Sequence, residues 1–183
     1  MRSVISLVFA AALAAPAVAS ELNIEVQGAA NGTITIDLLE DVAPDHVERI
    51  LELAREGAYD NVVFHRVIDG FMAQTGDVQY GKEGSEPGFA GRGGSERPDL
   101  RAEFSDIPFD RGVVGMARAQ SPNSANSQFF IMFDDGHFLN GQYTVVGRVT
   151  GGMDIVDAIK RGDGPNGSVV SAPDVMRTVT ASE

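Results

Sequence analysis

The residue types best suited to chemistry are concentrated in one short segment, FHRVIDGFMAQTGD, at residues 64–77. Arg66 is a permanent cation, Phe71 and Met72 are large apolar side chains, and Gln74 supplies an amide that donates and accepts hydrogen bonds. A hairpin that served only to hold a fold would not need this mixture. The segment therefore indicates a site in which a guanidinium and an amide border an apolar surface.

Two later segments, GVVGMARAQSPNSANSQFFIMF (112–133) and FLNGQYTVVGRV (138–149), also combine aromatic rings with amides. Each residue has a purely structural interpretation as well, since Arg66 could be the solvent-facing member of an alternating strand. Phe129 and Phe130 are adjacent on a predicted strand, so one faces the core and the other faces the opposite side. An outward phenylalanine on a highly charged chain indicates a binding pocket.

The elements that must position these residues are mostly short strands. Apolar residues at helical spacing predict a helix over 44–56, with Pro44 in its first turn and Gly57 after its last, and a second helix over about 152–161. Alternation and turn signals predict eight strands, at about 22–26, 33–39, 62–67, 72–75, 113–118, 128–133, 144–149 and 174–180. The pattern predicts a mainly β fold, a closed antiparallel barrel with two α-helices.

Several sequence motifs match known functional patterns, but the residues around them do not support those functions. GDGPNG (162–167) matches a dinucleotide-binding pattern, but it follows a helix and contains proline, so it is interpreted as a turn. The three histidines, His46, His65 and His137, show no metal-ligand spacing and no nucleophile elbow. The glycine-rich segment 81–98 is interpreted as a surface loop, mobile rather than catalytic. We expect neither a cofactor nor a bound metal.

The first nineteen residues predict a cleaved signal peptide. Arg2 precedes an apolar stretch, and Ala17-Val18-Ala19 has the small-x-small pattern of a cleavage site. A membrane anchor is the alternative, but Ser6 and Pro16 interrupt the apolar run, which is shorter than the ~20 residues that a span needs. We therefore expect a single mature domain at residues 20–183 that is exported to the periplasm.

Composition excludes several classes of partner. Loss of Arg2 leaves 13 basic against 26 acidic side chains, a net charge of −13, which repels nucleic acid and anionic membrane surfaces. The sequence contains no cysteine, so stability owes nothing to disulfides. We expect no nucleic acid partner, no membrane association after cleavage, and a monomer.

Together, the three segments at 64–77, 112–133 and 138–149 resemble the cyclophilin family of peptidyl-prolyl cis-trans isomerases. The resemblance spans nearly the whole mature chain, through GMDIVDAI (152–159) to the last strand. It implies an eight-stranded barrel capped by two helices, with an active site on the outer face. It also implies that the partners are proline-containing segments of client proteins.

The resemblance also implies roles for individual residues. Arg66 matches the catalytic arginine, and the remaining matched positions are substrate-binding: Phe71, Met72, Gln74, Ala117, Arg118, Ala119, Gln128, Phe130, Phe138, Leu139 and Tyr143. Three of these depart from the eukaryotic form, which commonly has tryptophan at Phe138, histidine at Tyr143 and asparagine at Arg118. Arg118 is tolerable if this position works through its main chain. Because Phe138 lacks an indole N–H, we expect weak cyclosporin binding.

A second function from another class is a proline-peptide binding module or holdase chaperone in which catalysis is incidental. Such a module needs the apolar pocket but no cation at the prolyl nitrogen, so Arg66 favours the enzyme. A serine or metal hydrolase is a distant third, since the sequence offers no nucleophile–base pair.

Overall fold

The computed structural model describes residues 20–86 and 88–182, so the predicted signal peptide at 1–19 lies outside the described residues. Within this part of the chain there are nine strands and two α-helices. The helices are α1 (Pro44–Arg55) and α2 (Met153–Ala158), and short 3-10 helices lie at His137–Leu139 and Pro165–Gly167. The strands are β1 (Glu21–Gln27), β2 (Gly32–Leu38), β3 (Val62–Val63), β4 (Arg66–Ile68), β5 (Met72–Thr75), β6 (Val113–Met116), β7 (Phe129–Met132), β8 (Val145–Gly151) and β9 (Val175–Ser182). No helix in the described ranges is long and apolar enough to cross a membrane.

All strand pairs are antiparallel, in one sheet of order β3-β9-β1-β2-β8-β6-β7-β5-β4. The two ends of this order, β3 and β4, are consecutive in the chain and are separated only by Phe64 and His65. The sheet therefore curls until its ends are joined by the chain itself. The predicted mainly β fold with an antiparallel sheet and two helices is confirmed.

The strand count differs from the expected eight because the predicted strand 62–67 is two strands. Val62 and Val63 pair with β9, whereas Arg66 begins a different ladder with β5. Between them, Phe64 donates its main-chain N–H to Asp174 O and His65 accepts from Val169 N. Those bonds give partners to one N–H and one C=O where the main chain crosses from one end of the sheet to the other.

The two faces of the sheet carry separate apolar clusters. Alternation along β7 sends Phe129 and Ile131 into the main core, with Ile24 and Ile36, and sends Phe130 to the other face. On that outer face a smaller cluster forms from Met72, Phe109, Val113, Phe130, Met132, Leu139 and Val145. The apolar layer on the outside of the sheet is the base on which the site is built.

Candidate active site

The register of the sheet places three of the predicted site residues in a row. Arg66 on β4 lies opposite Gln74 on β5, and Gln74 lies opposite Phe130 on β7. Directly opposed residues point to the same face of a sheet, so the cation, the amide and the ring share the outer face. The next residue in the row is Gly115, where a Cβ would lie 2.6 Å from the rings of both Phe109 and Phe130. Glycine at this position lets those two rings stack, with centroids 5.7 Å apart.

The guanidinium of Arg66 is fixed by three hydrogen bonds. Nη1 donates to Gln74 Oε1 at 3.1 Å, Nε donates to Asn166 O at 3.1 Å, and Nη2 donates to Asn166 Oδ1 at 3.3 Å. A guanidinium has five N–H donors, so two remain without a partner among the described residues. Partial burial lowers the pKa of Arg66 from its usual value, and the nearby Tyr143 opposes that change. Arginine stays charged under such conditions.

A relay of amides orients the partner of Arg66. Gln74 Nε2 donates to Gln128 Oε1 at 2.9 Å, and Gln128 Nε2 donates to Gly93 O at 2.8 Å. Because each amide uses its nitrogen in one direction, its oxygen must point in the other. The oxygen of Gln74 therefore faces Arg66, and the relay ends on a fixed main-chain carbonyl.

Beside Arg66 lies an apolar pocket of about 280 Å³. The rings of Phe71 and Phe138 are 5.4 Å apart, and Tyr143 meets Phe130 edge to face at 5.8 Å. Phe138 is the most exposed of these rings, at 66%. Ten of the twelve predicted site residues line this pocket: Arg66, Phe71, Met72, Gln74, Ala117, Arg118, Phe130, Phe138, Leu139 and Tyr143. We call it the proline pocket below, after the ligand that the family resemblance implies.

The other two predicted residues, Ala119 and Gln128, line a second cavity of about 310 Å³. It shares Gln74, Ala117 and Arg118 with the proline pocket, so the two form one continuous groove. Its remaining wall comes from residues at 91–95, together with Asp99, Ser124, Asn126 and Ser127. The segment 81–98, predicted as a surface loop, therefore supplies part of the groove wall through residues 91–95.

Similarity to known proteins agrees with this geometry. The model of the family described as cyclophilin type peptidyl-prolyl cis-trans isomerase matches residues 22–181, nearly the whole described chain. The chain belongs to the cyclophilin family. A probable peptidyl-prolyl cis-trans isomerase of Brucella suis is 59% identical over 152 residues, which cover 82% of this chain and 78% of the relative. Peptidyl-prolyl cis-trans isomerase B of Escherichia coli is 39% identical over 165 residues, covering 84% and 96%.

Solved structures show the same fold. The crystal structure of a cyclophilin from Hirschia baltica has a TM-score of 0.71 and 26% identity, covering 87% of this chain and 73% of that one. A Cryptosporidium parvum cyclophilin crystallised in the presence of the dipeptide Ala-Pro has a TM-score of 0.73 and 24% identity, covering 89% and 99%.

In this cyclophilin the side chain of Arg118 joins two walls of the groove. Its guanidinium donates to Ala119 O and Gln120 O on its own segment, and to Gln142 O at 3.0 and 3.2 Å on the facing loop. It also lies 4.3 Å from the centroid of the Tyr143 ring. We call this link from the Arg118 side chain to Gln142 O the brace. Sequence reasoning assigned Arg118 only a main-chain role and missed the brace.

The main chain of Arg118 remains available for a ligand. The N–H groups of its neighbours are used, since Ala117 donates to Gln128 O and Ala119 donates to Ser124 Oγ. Among the described residues, nothing pairs with the N–H or the C=O of Arg118. A peptide that pairs along residues 117–119, as predicted, could therefore hydrogen-bond to both main-chain groups of Arg118.

Asn166 is the residue that sequence reasoning missed most clearly. It lies in GDGPNG, which was interpreted as a turn and which forms the 3-10 helix Pro165–Gly167. Asn166 has φ 55°, a left-handed conformation that asparagine tolerates better than most residues. No local pattern marks a contact with Arg66, which lies far away in the sequence.

Neither His65 nor His137 is among the described residues that line the groove. Burial lowers the pKa of His65 to about 4, against a smaller opposing effect of Asp77, so the ring is neutral at physiological pH. His137 is exposed, and its bond to Asp110 at 2.7 Å raises its pKa. Asp135 lies close to this pair, but Asp135 and His137 are exposed and Asp110 is only half-buried, so we assign the three side chains no function.

Proposed function

We propose that this cyclophilin accelerates rotation about X–Pro peptide bonds, with Arg66 as its catalytic residue and without a covalent intermediate or cofactor. The observation that carries the proposal is a fixed guanidinium with two free N–H donors at the edge of an apolar pocket. The names of the relatives, all peptidyl-prolyl cis-trans isomerases, support the same activity.

The chemistry required is weakening of a partial double bond. Rotation about an X–Pro bond faces a barrier of ~18–20 kcal/mol, because the nitrogen lone pair is delocalised into the carbonyl. A guanidinium that donates a hydrogen bond to the prolyl nitrogen draws that lone pair back. Arg66 suits this role because it stays charged at any working pH and its donors are held in a planar fork.

Arg66 cannot supply the whole acceleration. Uncatalysed exchange takes tens of seconds, so turnover of about 10³ per second needs roughly 10⁵-fold, or about 7 kcal/mol. One charged hydrogen bond contributes about 1.5–3 kcal/mol. The remainder must come from the grip of the proline pocket on the ring and from the main chain of Arg118, which orients the peptide.

A proline-peptide binding module is the second candidate, because an apolar pocket with the exposed ring of Phe138 would bind a proline by itself. A binder would have no use for the acceptors that hold Arg66: Gln74 and both oxygens of Asn166. The enzyme is therefore preferred.

The cellular location of this protein, and with it the class of client proteins, is inferred from the first nineteen residues of the sequence. We infer that the chain is exported to the periplasm and acts there on X–Pro segments of proteins that are folding. The signal-peptide pattern at residues 1–19 is what supports this inference.

Replacement of Arg66 tests the mechanism. Arg66→Ala should lower kcat/KM on an Ala-Pro peptide by about 10- to 150-fold, the equivalent of one charged hydrogen bond, with little change in melting temperature. Arg66→Lys should recover little, because an ammonium lacks the planar fork. Arg148→Ala, which removes an exposed arginine on β8, is the matched control and should keep full activity.

The pH profile separates this mechanism from acid–base catalysis. Activity should stay flat from about pH 6 to 9, because arginine does not titrate there. A change in activity with a midpoint near pH ~6.5, or an Arg66→Lys variant with nearly wild-type activity, would contradict the catalytic role of Arg66.

A further inference from the structure

Two exposed aromatic side chains, Tyr80 and Phe89, lie beside the second cavity and outside the site described above. Their ring centroids are 6.0 Å apart, and the side chains are 39% and 50% exposed. They border a shallow depression of about 490 Å³, whose other described residues are Gly84, Ser85 and Glu86. On a protein with net charge −12, exposed rings that lie together mark a contact surface. We call Tyr80 and Phe89 the aromatic pair.

A buried carboxylate holds the base of this loop in place. Asp77 is fully buried, and its Oδ1 accepts main-chain N–H bonds from Gln79 at 3.1 Å and Tyr80 at 2.9 Å. Its Oδ2 accepts from Gly91 at 2.7 Å and Gly93 at 3.0 Å. The side chain of Asp77 thus connects the segment 79–80 to the segment 91–93, which lines the second cavity.

The aromatic pair is continuous with the groove through the residues that Asp77 holds. Tyr80 packs over Gly93, where a Cβ would lie 2.8 Å from Tyr80 Cδ2. Gly93 is also the carbonyl on which the amide relay ends. Arg92 lines the second cavity, and its guanidinium lies 5.8 Å from the Phe89 ring. A chain that leaves the proline pocket through the second cavity therefore meets Arg92 and then the aromatic pair.

We propose that the aromatic pair is a second contact site for the client polypeptide, which binds an aromatic or large aliphatic side chain several residues from the proline. This rests on the proposed function, because the occupant is the same chain that the proline pocket holds. Arg92 makes no ion pair among the described residues and lies over the Phe89 ring, so its charge is available to an aromatic ring of the client that binds beside Phe89. The site would favour clients that expose apolar residues near an X–Pro bond, as unfolded segments do.

A peptide series tests the proposal. Each peptide carries one Ala-Pro bond among small polar residues and a single phenylalanine, at about two to six positions on either side of the proline, since extended residues span ~3.3–3.6 Å each. At least one placement should lower KM about three- to tenfold relative to the peptide without phenylalanine, the effect of one aromatic contact. kcat should not change, because the contact is equal in the ground and transition states.

Matched variants identify the contact. Phe89→Ser should abolish the gain in KM, whereas Phe104→Ser, which removes an exposed ring outside both cavities, should keep it. If no placement lowers KM, or if the gain survives Phe89→Ser, the aromatic pair is not a contact site. If the peptide without phenylalanine is not isomerised at all, the proposed function itself fails, so the two failures are distinct.

Discussion

Acidification is expected to destabilise this cyclophilin through one buried side chain, His65. The residue lies between β3 and β4 and is 6% exposed. A Cβ at Gly91 would lie 2.8 Å from the imidazole, so the ring fills its site. Burial lowers the pKa of His65 to about 4, and the charge of Asp77 offsets only part of that effect.

The magnitude follows from the two protonation equilibria. In the unfolded chain the pKa of His65 is the ordinary 6.5, against about 4 in the fold. Between these values the unfolded state binds a proton that the folded state does not, so the free energy of unfolding falls as the pH falls. The total loss is about 3 kcal/mol, at a slope of up to about 1.4 kcal/mol per pH unit. Above about pH 6.5 the contribution of His65 is constant.

Urea unfolding of wild type and His65→Leu at pH 7, 5.5 and 4.5 measures this loss. The leucine cannot titrate, so between pH 7 and 4.5 the difference between the two proteins should shift by about 2.4 kcal/mol in favour of the variant, while the effects of the carboxylates cancel. His137→Gln is the control with the opposite sign. Asp110 raises the pKa of His137, so its stabilisation is present below about pH 6.5 and is lost as the pH rises through the folded pKa. Parallel pH profiles for wild type and His65→Leu would refute the reasoning.

Three further predictions concern the groove and the N-terminus. Arg118→Ala should raise KM for an Ala-Pro peptide several-fold with a smaller change in kcat, because the brace to Gln142 O is lost; Arg118→Asn with wild-type KM would show that the brace does not matter. Phe138→Trp should tighten cyclosporin binding by supplying an indole N–H, and titration calorimetry that finds wild type equally tight would count against this. N-terminal sequencing of the exported protein should begin at Ser20, and recovery of residues 1–19 on the mature protein would overturn the periplasmic proposal.

Most of the fold could be predicted from the sequence, because the helices and strands follow the local periodicity of the apolar residues. The alternation of FFIM along β7 already placed Phe129 and Phe130 on opposite faces, and both are found there. Pro44 and the spacing of apolar residues likewise predicted α1 to within one residue. The predicted strand 62–67 was wrong as a single element, because uniform alternation does not reveal where a strand changes partners.

The candidate site was predictable only where its residues lie in recognisable segments. Ten of the predicted residues converge on the proline pocket, although their roles stay predictions. Asn166 and the wall at 91–95 were missed, because each meets the site through contacts between residues distant in sequence. The side chain of Asp77, which fixes that wall, looks in the sequence like an ordinary acidic residue after a strand.

The order of the strands also determines when this chain can finish folding. The N-terminal hairpin β1–β2 pairs on one side with β9 and on the other with β8, so Glu21 lies opposite Ser182. The sheet therefore cannot be completed until β9 has been synthesised, at about 5–20 residues per second. Pairings this distant in sequence also fold slowly. The N-terminal hairpin of a nascent chain therefore lacks both of its neighbouring strands until β8 and β9 have emerged.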